Sequence, residues 1–269
     1  MIKISGRFIA FAMAIFLIQG CTRGPGKTSE NERLLMATLY QQSAAEYDAL
    51  CYQAYNLAEF MIQKALEKNI SGDLAVITDI DETVLDNSPY EASCILDNIS
   101  FPDEWNEWCE LAKAKALPGS REFLNYVANQ GIQVFYITNR KSELMQPTLT
   151  NLQKEGFPFA DESHLIMAEN DNSKESRRKI VEGKYHVILL LGDNLEDFTN
   201  VFENKSPEER KEIVSTLSAS FGTRFIAFPN AMYGSWERSI YGQSEKLGLK
   251  TKEETRYHFL TPFLLSKKQ

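Results

Sequence analysis

A chain of 269 residues with 43% hydrophobic and 25% charged side chains has the material for one large globular core. Its formal net charge of −8 and the lack of any basic face exclude a nucleic-acid polymer as a general partner. Without the first twenty residues, which include Lys3 and Arg7, 27 basic side chains face 37 acidic ones, net −10; phosphate then binds only where a lysine or a metal makes a site locally cationic.

Residues 1–20 read as a signal peptide. Lys3 and Arg7 supply its positive start, and Phe8 to Ile18 is an unbroken apolar run of eleven residues, too short to span a membrane. The run closes as Leu17-Ile-Gln-Gly-Cys21, which resembles the lipobox of bacterial lipoproteins although Gln19 stands where a small residue is usual. The resemblance implies cleavage before Cys21 and a diacylglycerol on its sulfur. Thr22, rather than Asp, follows the cysteine, a pattern that implies outer-membrane sorting in a Gram-negative bacterium. Residues 21–43, polar at first with Gly, Pro and Ser, are expected to be a lipidated tether.

From Ala44 to Lys68, apolar residues recur at three- and four-residue steps, the pattern of a long amphipathic helix. Strands and helices then alternate. Leu74–Thr78, Gln133–Ile137, His164–Ala168, Val187–Leu191 and Arg224–Phe228 read as strands. Ser120–Asn129, Leu144–Glu155, Ser173–Glu182 and Pro207–Ser218 read as helices. Continuous apolar strands between helices predict an α/β fold: a Rossmann-like parallel sheet with helices on both faces over residues 72–230. An insert at 87–117, rich in aromatics, interrupts the rhythm and is placed to cover the mouth of a site. Residues 44–71 and 231–269 are expected to form, with the insert, a smaller helical accessory layer in which the C-terminal stretch packs back on the N-terminal helix.

Cysteine and histidine usage narrows the chemistry. Cys94 and Cys109 lie in the same insert, and export permits a disulfide between them; two buried thiols fit equally well. No Cys-x-x-Cys pair occurs and three histidines show no ligand spacing, which argues against zinc.

Polar signals gather at the carboxyl ends of the predicted strands, the edge where open α/β sheets bind ligands. Asp79 and Asp81 follow the first, Thr138 and Asn139 the second, and Asp193 and Asp197 the last long one, while Lys174 opens a helix between them. So many carboxylates on one edge repel one another unless a cation joins them, and oxygen ligands suit Mg²⁺.

This arrangement resembles the haloacid dehalogenase-like phosphohydrolases: DxDxT at Asp79–Thr83, a strand-end Thr138, Lys174, and GDxxxD at Gly192–Asp197. The segments Asp79-Ile-Asp-Glu-Thr-Val-Leu-Asp-Asn-Ser-Pro-Tyr90, Tyr136-Ile-Thr-Asn-Arg140, Ser173-Lys-Glu-Ser-Arg-Arg178, Gly192-Asp-Asn-Leu-Glu-Asp-Phe198 and Pro229-Asn-Ala-Met-Tyr-Gly-Ser-Trp236 narrow it to the class C acid phosphatases of the lipoprotein e type. The resemblance implies that Asp79 is a nucleophile forming an aspartyl-phosphate, and that Asp81 is the acid and then the base. It implies Mg²⁺ held by the Asp79 side chain, the Asp81 backbone carbonyl and Asp193, with Asp197 orienting metal-bound water. Thr138, the Asn139 N–H and Lys174 would hold phosphate oxygens. Trp105, Tyr233 and, more weakly, Trp108 would form an aromatic slot for 5′-nucleotides, nicotinamide mononucleotide or aryl phosphates. The role of Arg140, in substrate contact or in pairing with a carboxylate, stays open, as does a homodimer. A phosphotransferase on the same fold and a non-catalytic, ligand-binding surface lipoprotein are the competing readings.

Overall fold

Leu74-Ala-Val-Ile-Thr78 has no charged residue and is buried from Ala75 onward, as a strand covered on both faces must be. The computed structural model describes residues 33–68, 70, 72–169, 173–242 and 249–263. In chain order they form α1 (Leu35–Ser43), α2 (Ala45–Glu67), β1 (Leu74–Thr78), β2 (Leu85–Asp86), α3 (Ser88–Asp97), α4 (Trp105–Leu111), β3 (Lys115–Ala116), α5 (Ser120–Asn129), β4 (Gln133–Lys141), α6 (Met145–Lys154), β5 (Leu165–Ala168), α7 (Glu175–Glu182), β6 (His186–Gly192), α8 (Pro207–Thr216), β7 (Phe225–Ala227), α9 (Ser235–Tyr241) and α10 (Leu249–His258).

Five strands make one parallel sheet in the order β5-β4-β1-β6-β7. The expected Rossmann-like architecture is present. From β1 the chain builds outward to β4 and β5, then returns to place β6 on the other side. The switch point therefore lies beyond the carboxyl ends of β1 and β6, where a crevice opens.

Strand alternation divides the core. Val76, Val134, Tyr136, Leu189, Leu191 and Ile226 face one layer, with Tyr55, Ala58 and Ile62 of α2, Phe123, Leu124 and Val127 of α5, and Leu149 and Leu152 of α6. Ala75, Ile77, Phe135, Leu190 and Phe225 face the other, with Val181 of α7 and Phe198. A register shift between Ala75 and Val76 puts Val187 on the same face as Leu190, the effect of a bulge.

One expectation needs correction, and one open question is decided. Within the stretch assigned to a tether, Leu35–Ser43 is helical and packs on α3, with Thr38 and Gln41 buried. Gln41 Nε2 donates to Asp86 Oδ1 at 2.7 Å, so a polar side chain docks this helix while its apolar residues Leu35, Met36, Leu39 and Tyr40 stay exposed. Cys94 and Cys109 each remain a buried thiol and join no disulfide; Cys109 packs in the larger core layer, where burial pushes its thiol up to about 12.

Among the described residues, the C-terminal stretch meets the N-terminal region through Glu237 of α9, which accepts from Arg33, ahead of α1, at 2.8 Å, and from Arg256 of α10 at 3.2 Å. Residues 1–20, Cys21 and the tether up to residue 32 lie outside the described residues. Among the described residues no helix is long and apolar enough to cross a membrane.

Candidate active site

β1 delivers Asp79 to the switch point. Its N–H still bonds the Leu191 carbonyl at 2.9 Å, so the residue is held by the sheet although the strand has ended. The chain then folds back, with the N–H groups of Val84 and Leu85 both donating to the Ile80 carbonyl at 2.9 Å. Glu82 takes a left-handed φ of 58° and turns its carboxylate inward, where it accepts the Asn87 N–H at 2.7 Å. The i, i+2 spacing of Asp79 and Asp81 thus becomes two carboxylates with different surroundings.

Asp79 lies with Asp193 and Asp197, and one oxygen from each is within 4.8 Å of the others. Lys174, the residue before α7, reaches this cluster: its Nζ donates to Asp79 Oδ1 in a short contact and stands 2.7 Å from Asp197 Oδ1. Burial would depress the Lys174 ammonium, but Asp197 and Asp79 outweigh it and hold its pKa above the ordinary lysine value. Three carboxylates against one ammonium leave an excess of negative charge in a buried place. Burial accordingly pushes Asp79 up to about 7, against the pull of Lys174, and it pushes Asp193 up as well, with Asp197 and Asp79 adding to the effect.

Asparagines set the other oxygens of the cluster. Asp193 Oδ2 accepts from Asn194 Nδ2 and Asn230 Nδ2, both at 2.8 Å. Its Oδ1 is buried and accepts no hydrogen bond from a described residue. An orphaned carboxylate oxygen beside two further carboxylates is a hard-oxygen donor set, and it fits a divalent cation such as Mg²⁺. Asp197 Oδ2 accepts the Asn194 N–H at 2.9 Å. Asp197, expected to orient metal-bound water, lies beside Asp79 and Asp193 in this cluster, and the Asp81 side chain turns toward Arg140.

Asp81 Oδ1 accepts from Arg140 Nη2 at 2.7 Å, from Arg140 Nε at 3.0 Å and from Asn87 Nδ2 at 2.8 Å. β4 runs on to Lys141, beyond its predicted end at Ile137, and its alternation turns Thr138 and Arg140 inward and Asn139 outward. Thr138 Oγ1 lies 3.4 Å from Asp81 Oδ2. Arg140 therefore pairs with a carboxylate, the question its sequence context left open.

Two arginines of α7, unassigned from sequence, fix the loops. Arg177 donates to the Thr138 carbonyl, to Asn139 Oδ1 at 2.6 Å and to the Ser173 carbonyl at 3.1 Å. Arg178 donates to the carbonyls of Glu196 and Asp197, each at 2.9 Å. Arg177 and Arg178 lie three and four residues beyond Lys174, on its side of the helix, and that spacing was the available signal.

The aromatic candidates divide. Trp105 is half-buried, 5.0 Å from Tyr90 and 5.8 Å from Phe101, and its ring lies 5.5 Å from the Arg140 guanidinium. Trp108 donates its indole N–H to Asn87 Oδ1 at 2.8 Å. Tyr233, half-buried, sits in the loop that Asn230 ties to Asp193; Asn230 Oδ1 accepts the N–H groups of Met232 at 2.9 Å and Tyr233 at 3.4 Å.

Comparison with known proteins follows the same lines. The family described as HAD superfamily, subfamily IIIB (acid phosphatase) matches residues 27–236. The class C acid phosphatase of Bacillus anthracis is 39% identical, covers 87% of this chain and 99% of its own, and superposes with a TM-score of 0.85; its tungstate-bound form gives the same score at 98% of its own length. Acid phosphatase 1 of Solanum lycopersicum is 27% identical over 179 residues, 63% of this chain. The Stem 31 kDa glycoprotein of Glycine max is 26% identical over 140 residues, 49% of this chain. The chain spans only 62% and 55% of the lengths of these two plant relatives. With a family match across the sheet and every site loop, the chain belongs to the acid phosphatases of HAD superfamily subfamily IIIB, class C.

Proposed function

We propose that the protein is a Mg²⁺-dependent phosphomonoesterase that works through an aspartyl-phosphate on Asp79. The observation that carries this is the buried cluster of Asp79, Asp193 and Asp197 around Lys174, with Asp81 adjacent but separately held. Asp79 and Asp193, with the Asp81 carbonyl, would hold the cation, which when bound supplies positive charge to offset the phosphate. Lys174, Thr138 and the Asn139 N–H bind and orient the phosphoryl oxygens. An Asp79 oxygen attacks phosphorus; the new P–O bond forms as the ester P–O bond breaks, and Asp81 gives its proton to the departing oxygen. Water then attacks phosphorus and loses a proton to Asp81. The Asp79–phosphorus bond breaks, releasing inorganic phosphate and restoring both carboxyl groups.

The substrates proposed are 5′-nucleotides, nicotinamide mononucleotide and aryl phosphates. Trp105, at the start of α4 beside Arg140, and Tyr233, on the loop that Asn230 ties to Asp193, offer flat apolar faces, and ring stacking tolerates many leaving groups. A lipid on Cys21 and attachment to the outer membrane are part of this reading and rest on the signal and lipobox pattern alone.

The test is phosphate release from a 5′-nucleotide by purified full-length protein, before and after chelation. Release that stops with EDTA and returns with Mg²⁺ is expected, and Asp79→Asn should abolish it with the melting transition intact. Release by Asp79→Asn at the wild-type rate overturns the nucleophile.

A further inference from the structure

Asn87 is where the aromatic insert touches the catalytic edge. Its Nδ2 donates to Asp81 Oδ1 at 2.8 Å, and its Oδ1 accepts the Trp108 indole N–H at 2.8 Å. Its backbone N–H is anchored on buried Glu82 at 2.7 Å. The other side of the same carboxylate is held by Arg140, whose Nη1 also donates to Thr148 Oγ1 at 3.2 Å and whose guanidinium lies 5.5 Å from the Trp105 ring. Asn87 and Arg140 are buried, and each is backed by a tryptophan of α4.

We propose that Asn87 and Arg140 are positioning residues for Asp81, and that α4 sets them through Trp108 and Trp105. The inference rests on the reading of Asp81 as acid and base. An amide side chain has one donor end and one acceptor end, and only the donor end suits a carboxylate. The Trp108 N–H holds the Asn87 oxygen away from Asp81, with a longer Arg140 Nη2 contact at 3.5 Å adding to it. Without the indole donor the amide is freer to turn, and its oxygen would then repel the carboxylate it now steadies. A proton donor must sit within hydrogen-bond reach of the departing oxygen, and small misplacement costs rate steeply. Trp108 thereby acts on the proton transfer, whereas its sequence context suggested a substrate contact.

Trp108→Phe keeps the ring and removes the donor. It should be compared on benzyl phosphate, whose alkoxide needs a proton to leave, and on p-nitrophenyl phosphate, whose phenolate does not. The measure is kcat/KM, which covers the steps up to departure of the leaving group. Trp108→Phe should lose about tenfold on benzyl phosphate and less than about twofold on p-nitrophenyl phosphate. Arg140→Lys, which keeps the charge and loses the fork, should show the same split. Asp81→Asn, measured alongside, should show it most strongly. A split in Asp81→Asn with none in Trp108→Phe overturns the positioning role alone. No split in Asp81→Asn overturns the reading of Asp81, and the positioning role with it. An equal loss on both esters, or a rise in KM without a split, makes Trp108 a packing or pocket residue and also overturns the proposal.

Discussion

The Nζ of Lys174 stands 2.7 Å from Oδ1 of Asp197, both side chains being only 6% exposed. The lysine comes from the start of α7 and the aspartate from the loop after β6, so this ion pair closes the catalytic edge across two crossovers. Removing one partner of such a pair leaves an uncompensated buried charge. Lys174→Met is therefore expected to destabilise the metal-free protein by about 3–5 kcal/mol, read as a fall in Tm in EDTA. Because it also removes the proposed phosphate contact, activity should fall even where Mg²⁺ restores part of the Tm. An unchanged Tm in EDTA would mean the carboxylates have shed their charge by protonation.

Chelation should itself lower the Tm. A cation that binds only the folded state at one hundred times its dissociation constant adds about 2.7 kcal/mol. The orphaned Oδ1 of Asp193 is the oxygen most in need of that partner. Asp193→Asn is expected to erase the Mg²⁺-dependent rise in Tm, measured by calorimetry with and without EDTA. A rise of wild-type size in that variant would place the cation elsewhere.

Gly192 ends β6 with the Asp197 side chain lying over it. A Cβ at this position would come within 2.4 Å of Asp197 Cβ and Oδ2. Gly192→Ala should displace Asp197, loosen its bond to the Asn194 N–H and cost roughly 1–3 kcal/mol. Loss of phosphatase activity should exceed what the fraction unfolded explains, and a variant as stable and active as wild type would contradict the contact.

Glu91 gives a pH test away from the catalytic cluster. Burial pushes its carboxyl from the ordinary 4.5 up to about 7, with Arg33 pulling it down and Glu237 pushing it up. Between those two values the folded protein binds more protons than the unfolded chain, so stability falls as pH rises. Glu91→Gln removes this term. Its stability should match wild type near pH 4 and exceed it above pH 7 by on the order of 1–3 kcal/mol, read as a higher Tm. Parallel Tm profiles for the two proteins would show that Glu91 ionises without cost.

Tyr233→Ala tests the aromatic slot. It is expected to raise KM for nucleotides about tenfold or more, consistent with roughly 1–3 kcal/mol of stacking, and to leave KM for small aliphatic phosphates within about twofold. Equal changes for both substrates would make Tyr233 a packing residue.

The five strands of the parallel sheet were legible in the sequence because each carries a continuous apolar run, as a strand buried on both faces must. The short pair Leu85–Asp86 and Lys115–Ala116 has no such run and was not. Leu74–Thr78 is found with the bounds read from its residues, and DxDxT at its end marked the loop that carries the proposed nucleophile. The helix Leu35–Ser43 was not legible, because its apolar residues Leu35, Met36, Leu39 and Tyr40 stay exposed and the side chain that docks it, Gln41, does so by a hydrogen bond to Asp86. Spacing along the chain placed Asp79, Asp193 and Lys174 at strand and helix ends. That β1 and β6 are neighbours, which brings those ends together, follows from chain order only after the switch in direction is known. The partner of Arg140 was undetermined in one dimension, since Asp81 is 59 residues away. Nor could Trp108 declare whether its ring or its N–H mattered. Local sequence carries propensity and hydrophobic pattern, whereas a hydrogen bond between distant side chains depends on directions that only the packed sheet and its insert supply.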